Sequence, residues 1–241
     1  MGLFDLPGPV FGLIDQAMAL LLPPLARLVA WGLLAGVASM LLYRLISPQG
    51  KIAAAKAAAI AARRRLNAYQ GDFAGARPLM AAQLRTAFRH LGLVLAPSVL
   101  SSLPALCLLV WLDNTYAYDF PAPGELPPVE VQPDAAFEGQ FRSDDSGGRV
   151  QIRARPDGQT LADVPLEAPV PLLEKWSWLN LLFGNPAGYL PDSAPVERVS
   201  ITLPEKYYLD FGPDWARSWL ALFLPVLVVT SLAMYRIARI D

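Results

Sequence analysis

The sequence predicts a membrane protein: three transmembrane α-helices, a cytoplasmic helical hairpin (a coiled coil) and an inserted extracytoplasmic β-sandwich-like domain. Three observations predict it. The 241 residues are 54% hydrophobic with a mean hydropathy of +0.35, and the apolar residues fall in long runs. A basic stretch separates the first two runs. An acidic stretch with strand-like alternation separates the last two. The net charge of −1 therefore averages two opposite fields.

Residues 1–24 predict an interfacial amphipathic helix. Val10, Phe11, Leu13, Ile14, Ala17, Met18, Leu20 and Leu21 make it apolar, but the run ends at Pro23-Pro24. It is shorter than the roughly 20 residues a bilayer core requires. Each proline removes an amide donor and clashes with the preceding turn. Asp15 and Gln16 are expected to face water, as on a helix lying in the head-group region. The competing arrangement is a kinked extension of the first span. Residues 1–8 contain no Lys or Arg, so a cleavable signal peptide is not expected.

Residues 25–46 form the first predicted span, with Arg27 and Arg44 near its ends. Residues 91–112 form the second and carry no charge. Residues 215–237 form the third, centred on Trp219 to Tyr235 and extended by Trp215, with a tail at 238–241. Trp111, Trp215, Trp219 and Tyr235 suit the membrane–water interface, where amphipathic rings are enriched.

Residues 47–90 read as the helical hairpin. Its first arm, Lys51 to Gln70, is dense in Ala, Lys and Arg, which are strong helix formers. Gly71-Asp72 marks the turn. The second arm has Pro78 in its first turn and an apolar stripe of Leu79, Ala82, Leu84, Ala87, Phe88 and Leu91. Lys51, Lys56, Arg63, Arg64, Arg65, Arg77, Arg85 and Arg89 make this a basic arm. Asp72 is its one acid. Short Lys/Arg-rich loops stay in the cytoplasm. The arm therefore predicts a multi-pass protein of the cell's inner (plasma) membrane with its N-terminus outside and its C-terminus cytoplasmic. Arg236 and Arg239 agree. Such a charge suits anionic head groups, or a docking role toward RNA, a ribosome or a nascent chain.

Residues 113–214 read as the outer domain, reached through a proline-rich linker at 121–133. Candidate strands are Val129–Val131, Phe137–Arg142, Arg149–Ala154, Val199–Leu203 and Tyr207–Leu209. Turns are expected at 143–148 and 156–158. Leu172 to Leu190 stands apart through Trp176, Trp178, Leu182 and Phe183. It either fills the sandwich core or forms an outer apolar patch resting on the outer leaflet or on a partner.

No catalytic constellation, metal site or cofactor motif is expected. Cys107 and His90 are the chain's single cysteine and histidine. His90 falls on the cytoplasmic side, which excludes a Ser-His-Asp arrangement in the outer domain. No glycine-rich phosphate loop appears, and nothing suggests DNA as a partner.

The order of parts carries a resemblance. An outer interfacial helix enters a first span that ends in Arg44-Leu-Ile-Ser-Pro48. A basic hairpin turns at Tyr69-Gln-Gly-Asp72, and a second span contains Pro97 and Pro104. This resembles the YidC-type membrane-protein insertase superfamily, in particular its three-span branch, which includes archaeal relatives and the insertase subunit of the ER membrane complex. The likeness covers roughly residues 10–112 and the last span. It implies a hydrophilic groove, open to the cytoplasm, that lowers the cost of carrying a polar segment through lipid. An intramembrane arginine would face that groove. Arg44 matches the position, with Arg27 as rival, and Ser98, Ser101 and Ser102 are candidates for the polar wall. The large insert between the second and third spans departs from the bacterial members, as does the count of three spans.

Two functions follow as expectations. The first is an insertase-like or chaperone-like protein that assists insertion or assembly of membrane-protein clients. The alternative is a structural or regulatory subunit of an envelope complex, with partner membrane subunits bound by the outer domain. The first requires Arg44 to face a hydrated groove. The second predicts an outward-pointing Arg44 and an exposed outer apolar segment.

Overall fold

The computed structural model describes residues 2–122, 124–133, 136–144, 147–155 and 157–238. Parts of the predicted turns at 143–148 and 156–158, and all of the tail beyond 238, lie outside the described residues. The chain forms two compact units. One comprises Met1–Leu28 and Leu106–Phe223, the other Val29–Ala105 and Leu224–Asp241.

Among the described residues the α-helices are α1 (Gly8–Ala19), α2 (Pro24–Ile46), α3 (Gln49–Asn67), α4 (Phe73–Tyr116), α5 (Asp214–Arg217) and α6 (Trp219–Ile237). Helices α2, α4 and α6 are long and apolar enough to cross a membrane. The chain is thus membrane-protein-like in composition, with a sheet domain inserted between the second and third such helices.

Two boundaries differ from expectation. The second hairpin arm and the second span are one continuous helix of 44 residues, about 66 Å at 1.5 Å per residue. The segment from Ala87 to Ala96 contains no helix-stop signal beyond Gly92, so nothing terminates the arm before the apolar run begins. Pro78 lies inside this helix and not in its first turn. The third span starts at Trp219. Ser218 is extended (φ −71°, ψ 159°), which separates the span from the four-residue α5 and leaves Trp215 outside it.

The break before α2 is where the proline pair predicts it: α1 ends at Ala19 and α2 begins at Pro24. One expectation for α1 is corrected. Asp15 does not face water but is buried, for a reason given below. Gln16 is exposed.

Within the second unit, α3 buries Ile52 and Ala55. Across from them, Thr86 and Arg89 of α4 line a crevice of about 240 Å³ with Ala54 and Ala58. The more enclosed face of the α4 arm is Leu79, Gln83, Thr86 and His90, a run of helical spacing. Of the predicted apolar stripe only Leu79 lies on this face; Ala82, Leu84, Ala87, Phe88 and Leu91 are exposed. All eight cations of the predicted basic arm are exposed.

The span packing is close. Trp31, Gly32, Ala35 and Gly36 of α2 are buried, a small-xxx-small face. A Cβ added at Gly36 would come within 2.8 Å of the Thr230 Cβ and 3.1 Å of the Leu227 carbonyl oxygen of α6.

The first unit holds two three-stranded antiparallel sheets. Strands β1 (Val129–Gln132), β6 (Arg198–Ile201) and β5 (Leu172–Glu174) form one in the order β1-β6-β5. Strands β2 (Phe137–Asp144), β3 (Gly147–Ala154) and β4 (Thr160–Leu166) form the other in sequence order. Their inner faces share one core. Val131, Leu173, Val199 and Ile201 come from the first sheet, and Phe141, Val150, Ile152, Val164 and Leu166 from the second. Each such side chain contributes about 1.5–3 kcal/mol on burial. Strand β3 shows the cause: Val150 and Ile152 point inward, while Arg149 faces out and pairs with Asp163 at 3.1 Å.

Tyr207 to Leu209 is not a strand. The Tyr208 amide donates to the Arg217 carbonyl and the Tyr208 hydroxyl to the Tyr116 carbonyl, both at 2.9 Å, so these groups are engaged by helix ends instead of a sheet. The Arg217 guanidinium also lies 4.3 Å from the centre of the Tyr207 ring.

Candidate functional site

A cavity of about 550 Å³ opens within the second unit, walled by all three spans. Helix spacing explains which residues reach it. From α2 come Ser39, Met40 and Tyr43. From α6 come Leu227, Ser231 and Tyr235 at four-residue intervals. From α4 come His90, Val94, Ser98, Ser101, Ser102 and Ala105, which recur every three to four residues along one face. Lys56 of α3 adds a cation. The structure brings Ser98, Ser101 and Ser102 to one cavity, which Ser39 and Ser231 also line from the other two spans.

The serine hydroxyls of α4 donate to their own helix. Ser98 reaches the Val94 carbonyl at 2.8 Å, Ser101 the Ser98 carbonyl at 3.0 Å and Ser102 the Val99 carbonyl at 2.8 Å. Their protons are engaged locally, as is common for Ser within helices. The oxygens still present lone pairs. The wall thus accepts hydrogen bonds more readily than it donates them. Donors come from Lys56, the Tyr43 and Tyr235 hydroxyls and the His90 ring. The Nδ1 of His90 is buried with no hydrogen-bond partner among the described residues.

Arg44 does not join this site. It is exposed and absent from the cavity lining. Its place near the end of α2 lets a long side chain leave the bundle, while Tyr43, one residue earlier, points inward. The positive charge at the cavity is Lys56, read in the sequence only as part of the basic arm.

Arg27 is also elsewhere. In the first unit it pairs with Asp15, and the Tyr116 hydroxyl donates to the other oxygen of the same carboxylate. The guanidinium carbon lies 5.6 Å from the centre of the Tyr116 ring. This cluster explains the burial of Asp15: a carboxylate leaves water when a cation and a hydroxyl replace its solvation. It borders a cavity of about 650 Å³ that also reaches Asp119, Lys206 and Tyr208. Burial and the nearby Asp119 carboxylate push the Tyr208 hydroxyl well above the ordinary phenol range, against the smaller opposing pull of Arg27.

The outer segment divides in two: one part enters the sheet core and the other is exposed. Leu173, Ala187 and Leu190 enter the sheet core. Trp178–Leu181 forms a 3-10 turn, with Trp176, Trp178 and Phe183 exposed and Leu182 half-buried.

Ser39, Tyr43, Ser231 and Tyr235 were legible as polar residues at four-residue spacing in apolar helices. What the sequence lacks is the rotation of each helix, which decides whether such a pair faces a cavity or a neighbour. No protein-family model, curated protein or solved structure matches the chain.

Proposed function

We propose that this chain is an insertase-like or chaperone-like membrane protein that assists insertion or assembly of other membrane proteins. Arg44, the arginine this reading expected in the groove, lies outside it. The observation that carries the reading instead is the cavity of about 550 Å³ walled by the three spans, with serines on each span and the exposed Lys56 in place of an arginine. A polar segment crossing lipid loses its water and leaves backbone and side-chain groups unsatisfied. Acceptor oxygens, phenols and one ammonium along a single wall offset part of that loss. In this reading the basic arm faces the cytoplasm of the inner membrane, where its exposed arginines meet head groups, a ribosome or a nascent chain. The sheet domain, sandwich-like in sharing one core, lies outside as a binding module.

A second reading, a structural or regulatory subunit of an envelope complex, draws on the outward position of Arg44 and the exposed Trp176–Phe183 segment.

One experiment separates them. A photo-crosslinking residue is placed at Ser39, Ser98 or Ser231, and in parallel at Arg44, during synthesis of a short-tailed membrane protein. The insertase reading expects crosslinks to the new chain from the three serine positions and few from Arg44. Crosslinks confined to stable neighbours at every position overturn it in favour of the subunit reading. Lys56→Glu is expected to reduce crosslinking to clients carrying acidic residues and to spare neutral ones.

A further inference from the structure

We infer that the 3-10 turn at Trp178–Leu181 and the N-terminal turn at Leu3–Asp5 form one wedge that inserts into the lipid interface. This inference is independent of the cavity.

Three observations build it. First, the two segments are zipped together within the first unit. The Phe4 amide donates to the Leu182 carbonyl at 3.0 Å, and the Gly184 amide donates to Asp5 Oδ2 at 2.7 Å. The Phe4 and Phe183 rings stack at 5.0 Å. A Cβ at Gly2 would come within 2.5 Å of the Leu182 carbonyl oxygen, so only glycine permits this approach. Two segments some 180 positions apart thus become one surface, with Leu6 65%, Trp178 68% and Leu181 62% exposed.

Second, the Trp178 segment is uncharged, and several polar groups of both turns are paired within them. Residues 176–190 contain no Asp, Glu, Lys or Arg. The Asp5 carboxylate on the other segment is turned inward to the Gly2 and Gly184 amides. Asn180 accepts from the Ser177 amide at 2.7 Å and donates to the Phe183 carbonyl at 3.2 Å. The Leu182 and Phe183 amides both reach the Leu179 carbonyl. Pairing of this kind lowers the cost of moving such turns from bulk water into the less polar head-group region.

Third, the wedge is tethered at the level of a span end. Helix α1 begins three residues after the N-terminal turn and packs on Trp111, in the last turns of α4. The Phe11 and Trp111 rings meet edge-to-face at 6.0 Å, and Gly8 lies against the Trp111 ring. Tryptophan near a span end sits at head-group depth. Trp and Leu on an uncharged turn beside it share that depth, as amphipathic interfacial segments do.

The test uses the full chain, purified and reconstituted in vesicles of phosphatidylcholine and phosphatidylglycerol. In a Cys107→Ala background, nitroxide labels are placed at Trp178→Cys, Leu181→Cys and, as aqueous reference, Gln159→Cys. Collision with oxygen is compared with collision with a water-soluble nickel chelate. The expected oxygen-to-nickel ratio at 178 and 181 is several-fold above that at 159, and Asp5→Ala is expected to lower it by loosening the zipper. A ratio equal to that at 159 overturns the proposal and leaves the patch for a protein partner. Shielding from both agents overturns it in favour of a second copy of this chain. A second measurement needs no cysteine in the loop: lipids brominated near the glycerol should quench less of the tryptophan emission in Trp176→Phe/Trp178→Phe than in the wild-type chain. Equal quenched fractions would count against insertion.

Discussion

Asp15 shows how one residue changes the account of an element. On a helical wheel it belongs with Gln16 on the wet side of α1. In the structure it is buried, held by Arg27 and by the Tyr116 hydroxyl. Removing one partner of such a pair strands the other charge, which typically costs about 3–5 kcal/mol. Asp15→Ala is expected to destabilise the first unit by that order, as a lower unfolding midpoint of the purified chain in detergent. The double variant Asp15→Leu/Arg27→Met is expected to recover most of the loss, because neither charge then remains buried. If the single variant unfolds where the wild type does, the pair does not anchor α1. The signal was present in the sequence: an acid and a base separated by 12 residues flank a proline pair. Helical periodicity reads only within an element, so it could not join the two across the break.

At the scale of elements, packing is decided by small residues. Gly32 and Gly36 form a GxxxG pattern in α2, a recognised signature of close helix contact in membranes. The pattern was readable, but its partner was not. The structure supplies Thr230 and the Leu227 carbonyl of α6. Gly36→Leu must push α6 away or distort α2, and overpacking of this kind typically costs about 1–3 kcal/mol. The expected result is earlier loss of helical circular dichroism as SDS is titrated into the purified protein. Thr230→Gly in the same chain should restore part of it, and an unchanged Gly36→Leu midpoint would refute the contact. The basic arm carries the opposite lesson. Leu84, Phe88 and Leu91 lie on one helical stripe, and amphipathic reasoning buries such a stripe. Here the more enclosed residues of the arm are Leu79, Gln83, Thr86 and His90, with Thr86 beside alanines of α3, while Leu84, Phe88 and Leu91 stay exposed.

For the molecule as a whole, the proposed function depends on sidedness, which rests on the contrast between a basic 47–90 and an acidic 113–214. In a Cys107→Ala background, a cysteine at Gln159 is expected to react with a membrane-impermeant maleimide in intact cells. A cysteine at Ala68 is expected to react only after permeabilisation. Labelling of Ala68→Cys from outside would reverse the topology, and with it the cytoplasmic role of the arm. The sheets divide in a similar way between pattern and context. β2, β3 and β6 announce themselves by alternation. β5 has three residues, and β4 carries Pro165 and Asp163, so neither has enough pattern to be recognised alone. Both exist because the shared core rewards Val164, Leu166 and Leu173 for pointing inward. The reverse holds for Tyr207-Tyr208-Leu209, whose β-favouring side chains are taken by Tyr116 and Arg217.

By itself the sequence determined the quantities that depend on composition over a window: three apolar runs of membrane-crossing length, the charge asymmetry between their connections, the break at Pro23-Pro24 and the alternating strands. These follow from transfer free energies and backbone sterics that act locally along the chain. Tertiary structure alone decided which face of each helix turns inward. That choice placed Ser39, Ser101 and Ser231 around one cavity with Lys56, left Arg44 outside it, buried Asp15 on Arg27 and zipped Phe4 to Leu182. Helix rotation and long-range pairing are set by contacts between segments far apart in sequence, and a periodicity carries no record of its partner.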